Sequence, residues 1–334
     1  MTQRTVARRT VTALAGLTAA ALLAACGGQD SPGGGDGPAQ PGTPEDTELV
    51  VGVLPLADLA PFYIAVEEGF FEDEGLTVEI NQASGGAAQI AAMVAGDIDI
   101  TFSNHVSVLE ARAQGLPLQL VRENNRSGPQ GIYAMPDSGI AAPGDLEGTT
   151  IAVNSLGNVQ ELTARAVLES HGVPRDGFEV VEMPPQDMPA ALSQGHVDAA
   201  WLVEPFLTQA SEDLGAVRVV SAFEGPTEDL PVAGWSATEQ YVQENPGTVA
   251  AFVRAMDEGM RVAEEQPERI AEIIPTYTSI SPELAGRLQP PGLSVTSDLS
   301  DMDMLADLMV QQGIIEEGLD LEAMVVDADE LPGE

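Results

Sequence analysis

The feature that most constrains the fold of this chain is a series of short apolar runs alternating with helical segments, and the series occurs twice. The first copy begins at Glu48 with ELVVGVLP, and the second begins at Thr149 with TTIAVN. Strands that alternate with helices of this length pair in parallel through right-handed crossovers. Two such units predict an α/β protein with two lobes, each a mainly parallel sheet flanked by helices, and a ligand cleft between the lobes.

The two copies share one recognisable junction. The segment AAMVAGDIDI at 91–100 is echoed by AALSQGHVDA at 190–199, so that Asp99 corresponds to Asp198. In both segments a Gly ends the helix three residues before the Asp, and Gly is the residue that most readily closes a helix. The repeat therefore favours a structural role for both carboxylates, at the point where a strand starts.

The first 25 residues predict an export signal. Residues 1–10 carry three Arg and no acid, and residues 11–25 form an apolar stretch that is too short to span a bilayer. The sequence LAAC then ends at Cys26, the single Cys of the chain, and resembles the bacterial lipobox. That resemblance implies cleavage before Cys26, lipidation of its thiol and anchoring on the outer face of the cytoplasmic membrane. A plain secretory signal is the alternative, and the choice between Sec and twin-arginine export stays open.

Residues 26–47 predict a tether behind the lipidated Cys. The segment 27–47 contains seven Gly and four Pro and shows no apolar periodicity. A flexible coil of this length spans about 25 Å on average. The folded body therefore begins at Glu48, just outside the membrane.

The charge balance excludes several classes of function. The chain of 334 residues has 53 Asp and Glu against 13 basic residues, all of them Arg, and a formal net charge of −40. So acidic a surface repels nucleic acid, and the absence of Lys excludes Schiff-base chemistry and the lysine of a P-loop. One Cys excludes disulfide frameworks and Cys-ligated zinc. No catalytic triad, metal-binding His pair or dinucleotide-binding Gly motif stands out, so we expect no enzyme, no catalytic residue, no metal and no cofactor.

The body resembles the substrate-binding proteins of bacterial ABC importers for sulfonates, nitrate and thiamine-pyrimidine precursors. The matching stretches follow the family's order from Glu48 to Leu288 and are APFYIAVEEGFFEDEGLTVEI, AAMVAGDIDITF, RAQGLPLQLV, MPDSGIAAPGDLEGTTIAVN, ALSQGHVDAAWLVEPF and VQENPGTVAAFVRA. The resemblance implies a type II periplasmic-binding-protein-like fold whose lobes close over a small-molecule ligand. It also implies an ABC permease with its ATPase as partner, and we expect a monomer.

Two other functions remain open for a chain of this family. One is a surface sensor or binding lipoprotein that is not coupled to transport. The other is a pyrimidine-synthesising enzyme of the same fold, although the iron-linked Cys-rich motif of that enzyme is absent here.

The chain pattern also predicts the lobe boundaries. We expect the crossings between lobes near 125–135 and 230–236. Lobe 1 then comprises 48–130 together with 235–334, and lobe 2 comprises 131–234. The last third is mostly helical and should pack back on lobe 1.

Ligands of open α/β sheets lie beyond the carboxyl ends of the strands, against helix N-termini. This rule selects the loops after the predicted strands as the binding site. The candidate ligand-binding residues in or beside these loops are Asp58, Ser84, Gly85, Gly86, Asn104, Asn154, Asn158, Trp201, Glu204 and Trp235.

Each candidate also has a structural interpretation. The N–H groups of 84–86 suit a sulfonate or carboxylate, but these residues and the Asn candidates could equally cap helices. The two Trp rings offer flat faces to a ring or a methylated cation, or they pack in the core. Glu204 could serve simply as a helix start, and Asp58 could be an ordinary acidic residue of the surface.

The sequence leaves two alternatives for the charge of the ligand. The selected loops contain no Arg, so a sulfonate would depend on amide groups and helix dipoles. Asp58 and Glu204 instead favour a donor-rich ligand such as an aminopyrimidine.

Overall fold

The computed structural model describes residues 42–83, 85–289, 291–294, 299–326 and 331–332. These residues belong to a compact unit that runs from Gln40 to Glu334. The predicted signal peptide, Cys26 and the tether up to residue 41 lie outside the described residues. Within the described ranges, no helix combines the length and the apolar character that crossing a bilayer would require.

Two five-stranded sheets form the body, in agreement with the predicted two-lobe α/β fold. The first sheet has the order β2-β1-β3-β10-β4 and the second has the order β7-β6-β8-β5-β9. The strands are β1 (Glu48–Val53), β2 (Thr77–Gln82), β3 (Ile100–Asn104), β4 (Leu118–Arg126), β5 (Gly131–Ala134), β6 (Thr150–Val153), β7 (Glu179–Glu182), β8 (Ala199–Leu202), β9 (Val217–Ser221) and β10 (Pro231–Thr238).

The two sheets share one plan. In each sheet the first three strands pair in parallel, with β1 aligned to β2 from Glu48 opposite Thr77 and β6 aligned to β7 from Thr150 opposite Glu179. The fourth strand of each order, β10 or β5, is antiparallel to both of its neighbours. Four of five strands therefore point the same way, which places their carboxyl ends at one edge of each sheet.

Asp99 and Asp198 have the structural role that the repeat predicts. The Asp99 carboxylate accepts the Val50 N–H at 2.8 Å, and the Asp99 N–H donates to the Val50 carbonyl at 2.9 Å. Asp198 makes the same pair of bonds with Thr150, at 2.8 and 3.0 Å. Each carboxylate thus satisfies the backbone at the beginning of a central strand.

Helices cover the sheets. They are α1 (Ala60–Glu68), α2 (Phe70–Asp73), α3 (Gly86–Ala95), α4 (His105–Ala113), α5 (Val159–Ser170), α6 (Met188–Ser193), α7 (Phe206–Thr208), α8 (Glu239–Glu244), α9 (Pro246–Glu265), α10 (Glu268–Tyr277), α11 (Pro282–Ala285) and α12 (Leu299–Gln311). As expected, the C-terminal helices return to the first sheet: α9 packs on α1 and α2, α10 on α1, and α12 on α4 and β10.

The chain passes between the sheets twice. It leaves the first sheet after Arg126, enters the second at Gly131, and returns between Ser221 and Pro231. The two crossings are hydrogen-bonded to each other, because the Ser127 N–H donates to the Leu230 carbonyl at 3.0 Å.

The second crossing lies earlier in the chain than the predicted 230–236, and the predicted boundary at 235 falls inside β10. This segment is instead an almost fully buried strand between β3 and β4. Pro231 occupies its first position, where a missing N–H is tolerated. Gly234 is required by close approach, since a Cβ there would lie 2.5 Å from the Arg122 carbonyl oxygen. Pro and Gly therefore mark a tight strand here and not a connection.

Candidate functional site

A cavity of about 50 Å³ lies between the two sheets. The first sheet and its loops contribute Leu54, Leu56, Asp58, Phe102, Asn104, Asn125, Val232 and Ala233 to its wall. The second sheet and the start of α5 contribute Asn154, Asn158, Val159, Gln160, Trp201 and Val203, and Gln130 enters from the first crossing. The cavity is therefore enclosed by both lobes and by one crossing between them.

Half of the predicted ligand-binding residues line this cavity. They are Asp58, Asn104, Asn154, Asn158 and Trp201. Asn104 ends β3, Trp201 lies near the end of β8, and the other three lie in the segments that follow β1 and β6. The carboxyl-end rule thus brings side chains from both sheets to one place.

The glycine-rich loop before α3 lies beside the cavity and not on its wall. Gly85 is buried, and a Cβ at this position would lie 3.9 Å from the Asn154 carbonyl oxygen of the other lobe. Gly86 is the first residue of α3. Ser84 lies outside the described residues.

Trp235, expected to contact the ligand, is a core residue and is not among the residues that line this cavity. Its ring lies within an aromatic cluster, with centroids 5.1 Å from Phe62, 5.7 Å from Phe102 and 5.2 Å from Phe252. Its Nε1 donates to the Asn124 Oδ1 at 3.1 Å. The cavity touches only the start of β10, and Trp235 lies further along the strand, beneath the helices.

Glu204 also lies off the cavity wall, and its carboxylate is engaged by the protein. The carboxylate accepts the Thr208 N–H at 3.1 Å and the Thr208 hydroxyl at 2.7 Å, as expected for a helix start. It also accepts the Gln289 N–H at 3.0 Å. The Glu204 carbonyl accepts the Ala57 N–H at 3.1 Å, next to Asp58. Glu204 therefore connects the two lobes through these hydrogen bonds.

Trp201 forms one wall of the cavity. Its side chain is buried, and its Nε1 donates to the Thr163 Oγ1 on α5 at 3.0 Å. Phe223 meets the ring edge-on at a centroid distance of 6.2 Å. With its polar atom satisfied by the protein, Trp201 offers a ligand only apolar ring surface.

Asp58 is the single ionisable side chain among the described residues that line the cavity, and it is 3% exposed. Burial raises the pKa of its carboxyl from 3.8 to about 6; a backbone hydrogen bond at Asp58 opposes this shift and the negative charge of Glu204 adds to it. Its Oδ1 accepts the Asn125 Nδ2 at 2.8 Å. The carboxyl is thus ionised near neutral pH in an environment that disfavours the charge.

The start of α5 forms the opposite, uncharged wall. Asn158 caps the helix, because its Oδ1 accepts the N–H groups of Gln160 and Glu161 at 3.0 and 3.2 Å. The Asn158 Nδ2 donates to the Asn154 Oδ1, and the Asn154 N–H donates to the Gln160 Oε1 at 2.7 Å. The side-chain oxygens of all three residues are therefore occupied by the protein.

Two Arg residues of β4, the strand that leads into the first crossing, form ion pairs and are not among the residues that line the cavity. Arg122 pairs with Asp257 at 2.6 Å, and Arg126 pairs with Asp301 and donates to the Asp229 carbonyl at 2.8 Å. Among the residues described, the cavity wall holds no Arg. Asp58 therefore faces no cationic side chain on the described part of the wall, and the charge of nearby Glu204 has the same sign.

Comparison with known proteins identifies the family. A family model described as NMT1/THI5 like matches residues 57–270. This segment holds most of both sheets and the whole of the second lobe. The chain belongs to the NMT1/THI5-like family.

Relatives in this NMT1/THI5-like family include named binding proteins. The formylaminopyrimidine-binding protein of Halalkalibacterium halodurans is 24% identical over 237 residues, 70% of this chain and 70% of the relative. The taurine-binding periplasmic protein of Escherichia coli is 23% identical over 214 residues, 61% of this chain and 65% of the relative. This chain therefore aligns with about two thirds of their length.

A solved structure shares the fold of this NMT1/THI5-like chain. The alkanesulfonate-binding protein of Xanthomonas axonopodis pv. citri, bound to MOPS, superposes with a TM-score of 0.74 at 17% identity. The superposition covers 84% of this chain and 99% of that protein. The fold is thus that of a periplasmic binding protein.

Sequence analysis did not identify three polar residues that line the cavity: Asn125, Gln130 and Gln160. Asn125 ends β4 in the run RENNR, where the buried polar residues are themselves a signal of function. Gln130 lies in the first crossing. Neither the Asn125 Oδ1 nor the Gln130 Oε1 has a hydrogen-bond partner among the described residues, and both are buried.

Proposed function

We propose that this protein is the extracytoplasmic solute-binding component of an ABC importer. It captures a small organic nutrient as its lobes close and delivers it to a membrane permease with its ATPase. Membership of a family whose named relatives bind formylaminopyrimidine and taurine supports this role. We assign the protein no catalytic role of its own.

The observation that carries the proposal is a cavity built from both lobes and a crossing. A solute in contact with Asp58 on one side and Asn154 on the other links the two sheets directly. Its binding free energy therefore favours the closed arrangement of the lobes over the open one. Ligand binding is in this way coupled to hinge closure.

Binding and closure can be measured together. The full chain is unfolded and refolded to release bound solute, and sulfonates, nitrate and pyrimidines are then titrated by calorimetry. X-ray scattering with and without the binding solute should show a decrease in the radius of gyration. Asn154→Ala should weaken binding, whereas the matched change at exposed Asn81 in β2 should not. Absence of binding throughout the panel, or binding without contraction, would refute the proposal.

The membrane attachment is tested separately. We propose that Cys26 carries the lipid and that the protein acts as a monomer on the outer face of the membrane. Cys26→Ser should release an unlipidated protein from the membrane fraction, and its retention there would contradict the anchor. Capture of a permease by the tethered protein would support transport, and its absence would favour a sensor.

A further inference from the structure

We infer that the cavity selects a small organic cation with N–H donor groups and discriminates against organic anions. This inference rests on the proposed solute-binding function and specifies the class of solute. Guanidinium-type and amidinium-type nitrogen groups have the required chemistry.

Three residues on the wall of the cavity carry hydrogen-bond acceptors. Asp58 offers a carboxylate, Asn125 offers its Oδ1 and Gln130 offers its Oε1. The Asn125 amide orientation is fixed by the bond from its Nδ2 to the Asp58 Oδ1 at 2.8 Å. Acceptor groups on three residues that line one small site match a ligand that presents several N–H groups.

Asp58 places a buried negative charge on the cavity wall. A carboxylate with 3% exposure needs a counter-charge, because an unpaired charge is costly to bury. Within the described part of the chain no Arg reaches the cavity wall, and Arg122 and Arg126 are paired with Asp257 and Asp301. A cationic ligand supplies the missing partner, whereas an anion would face Asp58 without a balancing charge.

The wall formed by the second lobe carries neutral hydrogen-bond donors. The side-chain oxygens of Asn154 and Gln160 already accept protein donors, so each residue has its amide N–H₂ group left for a ligand. These donors are neutral and suit a hydroxyl or a ring nitrogen. The expected ligand is therefore donor-rich at its end near Asp58 and carries an acceptor at the end near α5.

Three probes of matched shape test the charge preference. Guanidinium, urea and nitrate are planar, have four non-hydrogen atoms each and differ in charge. Calorimetry and ligand-observed NMR on the full chain at constant ionic strength should rank guanidinium above urea and urea above nitrate. We expect at least a tenfold difference in Kd between guanidinium and nitrate.

Variants separate the site from the general attraction of an acidic protein for cations. Asp58→Asn should weaken guanidinium binding at least tenfold and leave urea binding within threefold. Asp137→Asn makes the same charge change at an exposed position outside the cavity and should have no effect. Gln130→Met removes one acceptor at similar size and should weaken guanidinium and urea alike.

The outcomes distinguish the two proposals. Nitrate or methanesulfonate binding as tightly as guanidinium would overturn the cation preference and leave the solute-binding function in place. Guanidinium binding that is insensitive to Asp58→Asn would also overturn it. If none of these probes and none of the larger solutes binds, both proposals fall.

Discussion

The Asp58→Asn variant should be more stable than the wild-type protein in the absence of ligand. In the folded protein the Asp58 carboxyl keeps its proton up to about pH 6, whereas the unfolded chain loses it near pH 3.8. The folded state therefore binds more protons between these values, and its free energy of unfolding falls as the pH rises through them. One pKa unit corresponds to about 1.36 kcal/mol, so the ionised carboxylate costs the folded protein about 3 kcal/mol above pH 7.

Urea denaturation of both proteins between pH 4 and pH 8 measures this cost. The difference in free energy of unfolding should be below about 0.5 kcal/mol near pH 3.8 and approach about 3 kcal/mol above pH 7. Asn at position 58 can still accept from the Asn125 Nδ2, so the neighbouring hydrogen bond is retained. Asp137→Asn, with an exposed carboxyl, is the control for net charge. An Asp58→Asn protein that is equally stable at pH 7, or a difference that does not vary with pH, would refute the reasoning.

Three further predictions follow from the packing. Trp201 lines the cavity and Trp235 does not, so Trp201→Phe should abolish a ligand-induced change in intrinsic fluorescence and Trp235→Phe should preserve it. Trp235→Ala removes a fully buried ring and should lower the free energy of unfolding by about 3–5 kcal/mol in urea titrations, with ligand affinity of the folded protein within threefold of wild type. Glu212→Gln breaks an exposed 3.3 Å ion pair with Arg287 and should cost under about 1 kcal/mol, a difference that high salt removes; a larger or salt-independent loss would contradict an exposed pair.

The sequence predicts the two sheets because their parallel strands alternate with helices in a regular series. The same series predicts the strand-start role of Asp99 and Asp198, since the junction occurs in both copies. It fails at β10, an antiparallel strand without a following helix of the repeat. Pro231 and Gly234 are residues typical of a connection between elements. In the structure, Pro231 occupies the first position of β10, and Gly234 is needed where the backbones of β10 and β4 approach closely.

The site is predictable only as far as the strand rule extends. Asn104 and Asn154 could be placed at the cavity because they lie at the carboxyl ends of recognisable parallel strands. Asn125 was missed because the end of β4 was taken for a crossing, although β4, antiparallel to its neighbour β10, runs in the same direction as β3 beyond it. Trp235 and Glu204 could not be assigned from sequence, since whether such a side chain faces a cavity or its own core depends on how far along its element it lies.

The position of β10 has a consequence for the order of folding. Its neighbours in the sheet are β3 and β4, yet the whole second sheet is encoded between β4 and β10. During synthesis from the N-terminus, all five strands of the second sheet become available as one continuous stretch of chain. The first sheet still lacks an interior strand until β10 has been synthesised. Closing so long a loop adds entropic cost and slows non-local pairing. The second lobe is therefore expected to fold early. Once folded, it holds the end of β4 close to the start of β10, so that β10 can pair with β4 and complete the first sheet.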